Sequence, residues 1–124
     1  MRLLLDTQAV LWFVGDRPQL SETAAEAIES AEHEVLLSAV VPWEISIKRA
    51  LGKLTATDRY LRLVTDGRAR ALPVGIDHAR AVESLPPLHR DPFDRLLIAQ
   101  AQVEGAVLVT HDPRIRAYPI ETLW

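Results

Sequence analysis

With 124 residues, 48% hydrophobic and 25% charged, the chain has the size and composition of one soluble globular domain, expected to span residues 1–124. The absence of cysteine excludes disulfides and thiolate metal sites and fits a reducing, cytoplasmic setting. A net charge of −3 argues against coating nucleic acid through bulk charge, and no apolar run approaches the roughly 20 residues of a membrane-spanning helix.

Arg2 to Leu5 reads as a short buried strand ending at Asp6, too brief an apolar core for a secretory leader. Gln8 to Val14 is helical and stops at Gly15 and Pro18. Ser21 caps a second helix over Glu22 to Ala31, rich in Ala and Glu. Val35 to Ser38 is continuously apolar up to its last residue, as parallel strands buried on both faces tend to be. A helix from Trp43 to Leu51 has Pro42 in its first turn and Gly52 at its end. Thr57 to Thr65 is expected to be helical, Ala71 to Val74 a weak strand, and Asp77 to Ser84 a short helix. The clearest element runs from Asp91, its N-cap, through Pro92 to Gly105, with apolar residues almost all round. Val107 to Val109 is a strand, Asp112-Pro113 a turn, and Pro119 to Leu123 a terminal strand. Strands alternating with helices predict an α/β fold with a mainly parallel sheet covered on both faces.

Asp6, Glu44, Asp94 and Asp112 each close a strand-like run or sit near the start of a helix. Singly, each has an ordinary explanation. Asp94 lies in the first turn of its helix, Glu44 stands four residues before Lys48, and Asp112 opens a turn before Pro113. Jointly they say more, because strand ends of a parallel sheet share one edge and residues far apart in sequence meet there. Clustered carboxylates need a counter-charge, and oxygen ligands without thiolates suit Mg²⁺ or Mn²⁺. A phosphatase of the haloacid dehalogenase type needs a second Asp where this chain has Gln8, and a receiver domain needs an acid on strand three, where Pro73-Val74-Gly75 stands.

The segments LLLDT, SAVVPWEISIKRALGKL, HRDPFDRLLIAQA and VLVTHD together resemble a PIN-domain ribonuclease, and more narrowly a VapC-type toxin of a toxin–antitoxin pair. The resemblance implies a three-layer α/β/α sandwich and water-driven cleavage of RNA phosphodiester bonds with Mg²⁺ or Mn²⁺. It carries Asp6, Glu44 and Asp94 onto the three near-invariant acids of the family and Asp112 onto the more variable fourth, with Asp91 left as a helix cap. Thr7, Thr110, Lys48, Arg90 and Arg95 stand close enough in sequence to meet metal-coordinated water or substrate phosphates. His89 and His111 read as solvated loop residues, and Trp12, Trp43 and Phe93 as core or partner-groove residues. The resemblance also implies a cognate antitoxin lying in an apolar groove, sought along residues 8–14, 21–31 and 43–51, and pairing of the toxin as a homodimer. The rival reading is a catalytically inactive PIN-like module that binds RNA or protein. No acid is missing, which argues against it. A DNA or flap nuclease is a weaker third option, since the compact chain has no long arch insertion.

Overall fold

Leu3, Leu4 and Leu5 are all fully buried yet face opposite ways, because successive side chains of a strand alternate between its two faces. They form β1 (Arg2–Leu5), the middle strand of a computed structural model that describes residues 1–124. The other strands are β2 (Glu34–Ser38), β3 (Arg70–Leu72), β4 (Val107–Val109) and β5 (Thr122–Leu123). Their order across the sheet is β3-β2-β1-β4-β5, and every neighbouring pair is parallel. Helices α1 (Thr7–Val14), α2 (Glu22–Glu29), α3 (Val40–Ala50), α4 (Arg62–Thr65), α5 (Ile76–Ala81), α6 (Pro92–Glu104) and α7 (Pro113–Arg116) make the connections.

The alternation sorts the interior into two layers. Leu3, Leu5, Val35, Leu37, Val107 and Val109 pack with Ala9 and Val10 of α1, Ala24, Ala27 and Ile28 of α2, and Val41 and Ile45 of α3. Leu4, Leu36, Leu72 and Leu108 pack with Leu97, Ile98 and Ala101 of α6 and with Ile115 and Tyr118. The expected α/β/α sandwich is the observed fold. The chain leaves β1 toward β2 and β3 on one side and later returns to β4 and β5 on the other. The crevice between the ends of β1 and β4 is therefore the point where strand order reverses, the usual ligand position in such sheets.

Local structure departs from the sequence reading in instructive places. The third helix begins at Val40 rather than Trp43. Pro42 falls at its third position, where a missing N–H costs nothing because the first four have no partner within the helix. Residues 57–65 split into a short 3-10 turn, Arg59–Leu61, followed by the single turn of α4. The weak third strand spans Arg70–Leu72, and the terminal strand shrinks to Thr122–Leu123. Asp112-Pro113 is more than a turn: Asp112 accepts from Arg114 N–H and caps α7, with Pro113 at its first position. α6 is buried on all sides in its middle, from Leu97 to Ala101, and opens to solvent only toward its ends. Val103 is exposed, and Gln100 is fully buried.

Gln100 belongs to a polar chain through the second layer. Ser38 Oγ donates to Gln100 Oε1, and Gln100 Nε2 donates to the carbonyl of Pro73 at 3.3 Å. Beside it, Gly75 N–H donates to His78 Nδ1 at 2.9 Å, which leaves Nε2 as the donor to Glu104 Oε2 at 2.8 Å. That bond, with one from Arg2, holds the Glu104 carboxyl below its ordinary range. These links fix α6 against β2 and α5. Ser38→Ala strands two buried groups, Gln100 Oε1 and the Val40 N–H that Ser38 Oγ accepts. It is expected to lower unfolding free energy in urea by about 1–3 kcal/mol with unchanged circular dichroism.

Candidate active site

Each of the four acids reaches the edge of the sheet by its own local device. Asp6 ends β1 and caps α1, its Oδ1 accepting from Ala9 N–H at 2.7 Å. Glu44 projects from the second turn of α3, where Thr7 Oγ1 donates to its Oε1 at 2.6 Å and Lys48 Nζ grips Oε2. Asp94 stands in the first turn of α6, whose cap Asp91 accepts from the Asp94 N–H at 3.0 Å. Asp112 follows β4, with its own N–H bonded to Thr110 Oγ1 at 3.1 Å. All four line one cleft of ≈ 520 Å³, together with Thr7, Gln8, Leu11, Trp12, Lys48, Leu54, Asp91, His111 and residues 113–115.

Asp6 and Glu44 are each only 6% exposed. Burial pushes the Asp6 carboxyl up to about 6, against the Thr110 hydroxyl and Ala9 N–H, with Asp94 and Asp112 adding repulsion. Burial likewise raises Asp94 to about 6, opposed by a hydrogen bond from His89 and reinforced by Asp91 and Glu44. Asp112 goes the other way: Arg114 lies across it, Nε to Oδ1 at 3.1 Å and Nη2 to Oδ2 at 2.9 Å, and holds it below the usual carboxylate range. The Glu44 carboxylate raises Lys48 in turn. Three acids thus have an internal cation or imidazole partner, whereas no basic side chain pairs with Asp6.

Several flanking residues sit differently from expectation. Arg95 is turned away from the cleft and donates to the carbonyls of Val82, Pro86 and His89 and to the Tyr118 hydroxyl, so it is no phosphate contact. Arg90 is exposed and outside the cleft lining. The Thr7 and Thr110 hydroxyls are engaged within the protein, the first with Glu44 and the second with the Asp112 backbone. His111 is exposed and stacks on Trp124 with ring centroids 5.2 Å apart. His89 is not solvated: its Nε2 lies 2.8 Å from Asp94 Oδ2, and His89, Asp94 and Asp112 offer polar atoms all within 4.8 Å of one another. Trp12 lines the cleft and meets Trp124 edge-on, and Trp43 packs edge-on to Phe93 at 4.6 Å while remaining exposed. Arg114 was missed. Its signal, a basic residue two positions after a capping acid, is too common to single out.

The sequence matches the PIN domain family across residues 3–121. The chain belongs to the PIN domain family. It is 29% identical over 119 residues to Ribonuclease VapC22 of Mycobacterium tuberculosis (strain ATCC 25618 / H37Rv), spanning 94% of this chain and 91% of that relative. Its backbone resembles that of VapBC2 from Rickettsia felis bound to a DNA fragment from their promoter, with a TM-score of 0.73 at 15% identity over 99% of this chain and 98% of the other. A toxin–antitoxin complex from Klebsiella pneumoniae gives a TM-score of 0.68 at 16% identity over 98% and 96%. At those identities the structural likeness speaks for the PIN fold alone.

The raised carboxyls make a PIN domain without metal sensitive to pH. Folded Asp6 and Asp94 take up protons near pH 6, whereas unfolded carboxyls do so near 4, so the native state holds more protons in between. The resulting stabilisation is fully present below the unfolded value and is lost as pH rises through about 6. Metal-free protein should therefore melt at a higher temperature at pH 5 than at pH 7.5, and Asp6→Asn should flatten that difference. Asp112 and Glu104, whose carboxyls are lowered, act in the opposite sense only below this window. A melting temperature that climbs from pH 5 to 7.5 would contradict the assignment.

Proposed function

We propose that this PIN domain is the ribonuclease toxin of a toxin–antitoxin pair, hydrolysing RNA phosphodiester bonds with Mg²⁺ or Mn²⁺ as cofactor. The convergence of Asp6, Glu44, Asp94 and Asp112 on one cleft from four separate elements carries this reading. The 29% identity to a ribonuclease along nearly the whole chain supports the choice of RNA.

The residues fit a hard divalent cation. The cleft offers carboxylate and hydroxyl oxygens with no thiolate, and Asp6 lies buried without a basic partner. Asp6, Glu44, Asp94 and Asp112 would hold the ion. When bound, such an ion supplies the missing counter-charge and Lewis-acid stabilisation of a phosphoryl oxygen. Lys48 and Arg114 border the acids and supply positive charge for the RNA backbone phosphates. Thr7 orients Glu44, and Thr110 orients the backbone at Asp112. Hydrolysis adds a water oxygen to phosphorus and breaks the bond to the ribose oxygen, with a cleft carboxylate receiving the proton of the attacking water and solvent water returning one to the released ribose oxygen.

The same surface accommodates an antitoxin segment. Leu11, Trp12 and Leu54 give the cleft an apolar wall, and Trp12 continues into a second cavity of ≈ 470 Å³ where Phe13, Pro18, Leu20 and Ala25 alternate with Asp16, Arg17, Glu22 and Glu29. An apolar side of a partner segment fits there while a basic side chain reaches the acids. Two copies of the chain are proposed to pair through α3 and its C-cap, where Trp43, Ile47 and Leu51 stand exposed four residues apart. The setting is cytoplasmic, and no helix is long and apolar enough to cross a membrane.

Expression alone should arrest growth, and Asp6→Asn or Asp94→Asn should relieve the arrest while the protein stays folded. Purified protein with Mn²⁺ should cut structured RNA, chelation should stop cutting, and either variant should lose more than the roughly 10–100-fold that an outer-shell change costs. RNA binding without metal-dependent cleavage would instead identify an inactive binding module. In sedimentation, Ile47→Glu with Leu51→Glu should convert a dimer to a monomer; a dimer that survives the pair would place the contact elsewhere.

A further inference from the structure

The loop over residues 85–91 carries two prolines and no regular structure, yet it delivers a nearly buried imidazole to the cleft. Three of the four polar groups of His89 are held. Its N–H donates to the Tyr118 hydroxyl at 2.9 Å, its carbonyl accepts from Arg95 Nη1 at 3.4 Å, and its Nε2 meets Asp94 Oδ2 at 2.8 Å. Arg95 binds the same loop at Pro86 O, 3.0 Å, and Val82 O, 3.3 Å, and reaches the Tyr118 hydroxyl at 3.0 Å. Asp94 and Arg95 are neighbours on α6, so their side chains leave the helix about 100° apart. One grips the loop backbone and the other receives its imidazole. Tyr118 is 3% exposed and follows α7, so its hydroxyl ties the loop to the segment that begins at Asp112.

We propose that His89 is a positioning residue for Asp94, held by a strut of Arg95 and Tyr118 that sets the spacing of Asp94 and Asp112. The proposal rests on the nuclease reading above for its consequence, and on the strut alone for its geometry. An Arg used only to cover core would not need four oxygen acceptors, since holding its long side chain in one conformer costs rotamer freedom that the contacts must offset. Bonded to Asp94 Oδ2, the imidazole restricts rotation of the carboxylate and leaves Oδ1 as its free oxygen. Partners one bond removed from a metal typically change its affinity by about 10–100-fold.

The test uses the full chain at pH 7.5 with Mn²⁺ alone as probe. Calorimetry should show His89→Ala binding Mn²⁺ about 10–100-fold more weakly than wild type. His89→Gln, whose amide still donates, should recover most of that loss. Tyr118→Phe removes only the hydroxyl and should weaken Mn²⁺ in the same direction while its melting temperature confirms a folded core. Nitrogen NMR of the metal-free protein gives an independent reading: wild-type imidazole should sit in one tautomer with Nε2 protonated, and Tyr118→Phe should average it. Unchanged Mn²⁺ affinity in His89→Ala overturns the proposal. So does an imidazole nitrogen coupled directly to bound Mn²⁺ in the electron spin echo that vanishes in His89→Ala, which would make His89 a ligand. Wild-type protein that binds no Mn²⁺ overturns the nuclease reading, whereas an averaged wild-type tautomer overturns the strut itself.

Discussion

Carboxylates held a few ångströms apart at the end of a parallel sheet set the terms for the rest of this molecule. At a separation near 5 Å and an effective dielectric of about 20, two negative charges repel by roughly 3 kcal/mol. An exposed ion pair returns under about 1 kcal/mol. The cations at the rim therefore do not balance the cluster, and the protein answers burial and repulsion with protons: Asp6 and Asp94 both titrate near 6. Two carboxyls whose ionisation is held back to about 6, in one cleft, form a site short of positive charge.

The strand-order reversal is what assembles the cluster here from positions 6, 44, 94 and 112. The crossover from β1 to β2 and β3 moves one way, and the return to β4 moves the other, so the ends of β1 and β4 stay adjacent with helices opening on either side. Asp6 N–H bonds Val109 O at 3.2 Å, which fixes the register of the two strand ends against each other. The same N-terminal capping geometry then recurs at Asp6, Asp91 and Asp112, each a side chain that satisfies the first free N–H groups of a helix. Capping and charge clustering are thus one arrangement here. The acids that start helices are stabilised by those helices, which offsets part of the repulsion.

The acids were legible in the sequence because this grammar is local: a strand end, a capping residue, a Pro at the first helical position. The sandwich was legible because strand and helix patterns alternate along the whole chain. What escaped depends on tertiary contacts. His89 looks like any loop histidine until Arg95 and Tyr118, one six and the other twenty-nine residues away, close on it. Arg95 beside Asp94 looks like a phosphate ligand, and only the position of the loop carbonyls shows where its donors go. The early start of α3 was hidden by Pro42, which reads as a beginning although a proline is equally tolerated anywhere within the first turn.

The partners of the acids also differ in what it costs to exchange them. Arg114 is about two-thirds exposed and Lys48 about two-fifths, and pairs of that kind contribute little that a phosphate or a cation cannot replace. His89 is 9% exposed and bonded through its backbone as well as its ring, so moving it would break a buried network. The cleft is accordingly built of a fixed half and an exchangeable half. Asp6 and Asp94 are locked by backbone, hydroxyl and imidazole, while Glu44 and Asp112 are covered by partly exposed cations on long side chains. In the proposed reaction, RNA phosphates compete for Lys48 and Arg114 at the same time as a divalent ion competes for the carboxylates those side chains cover. Substrate and metal would then each lower the cost of binding the other without any change in the fold.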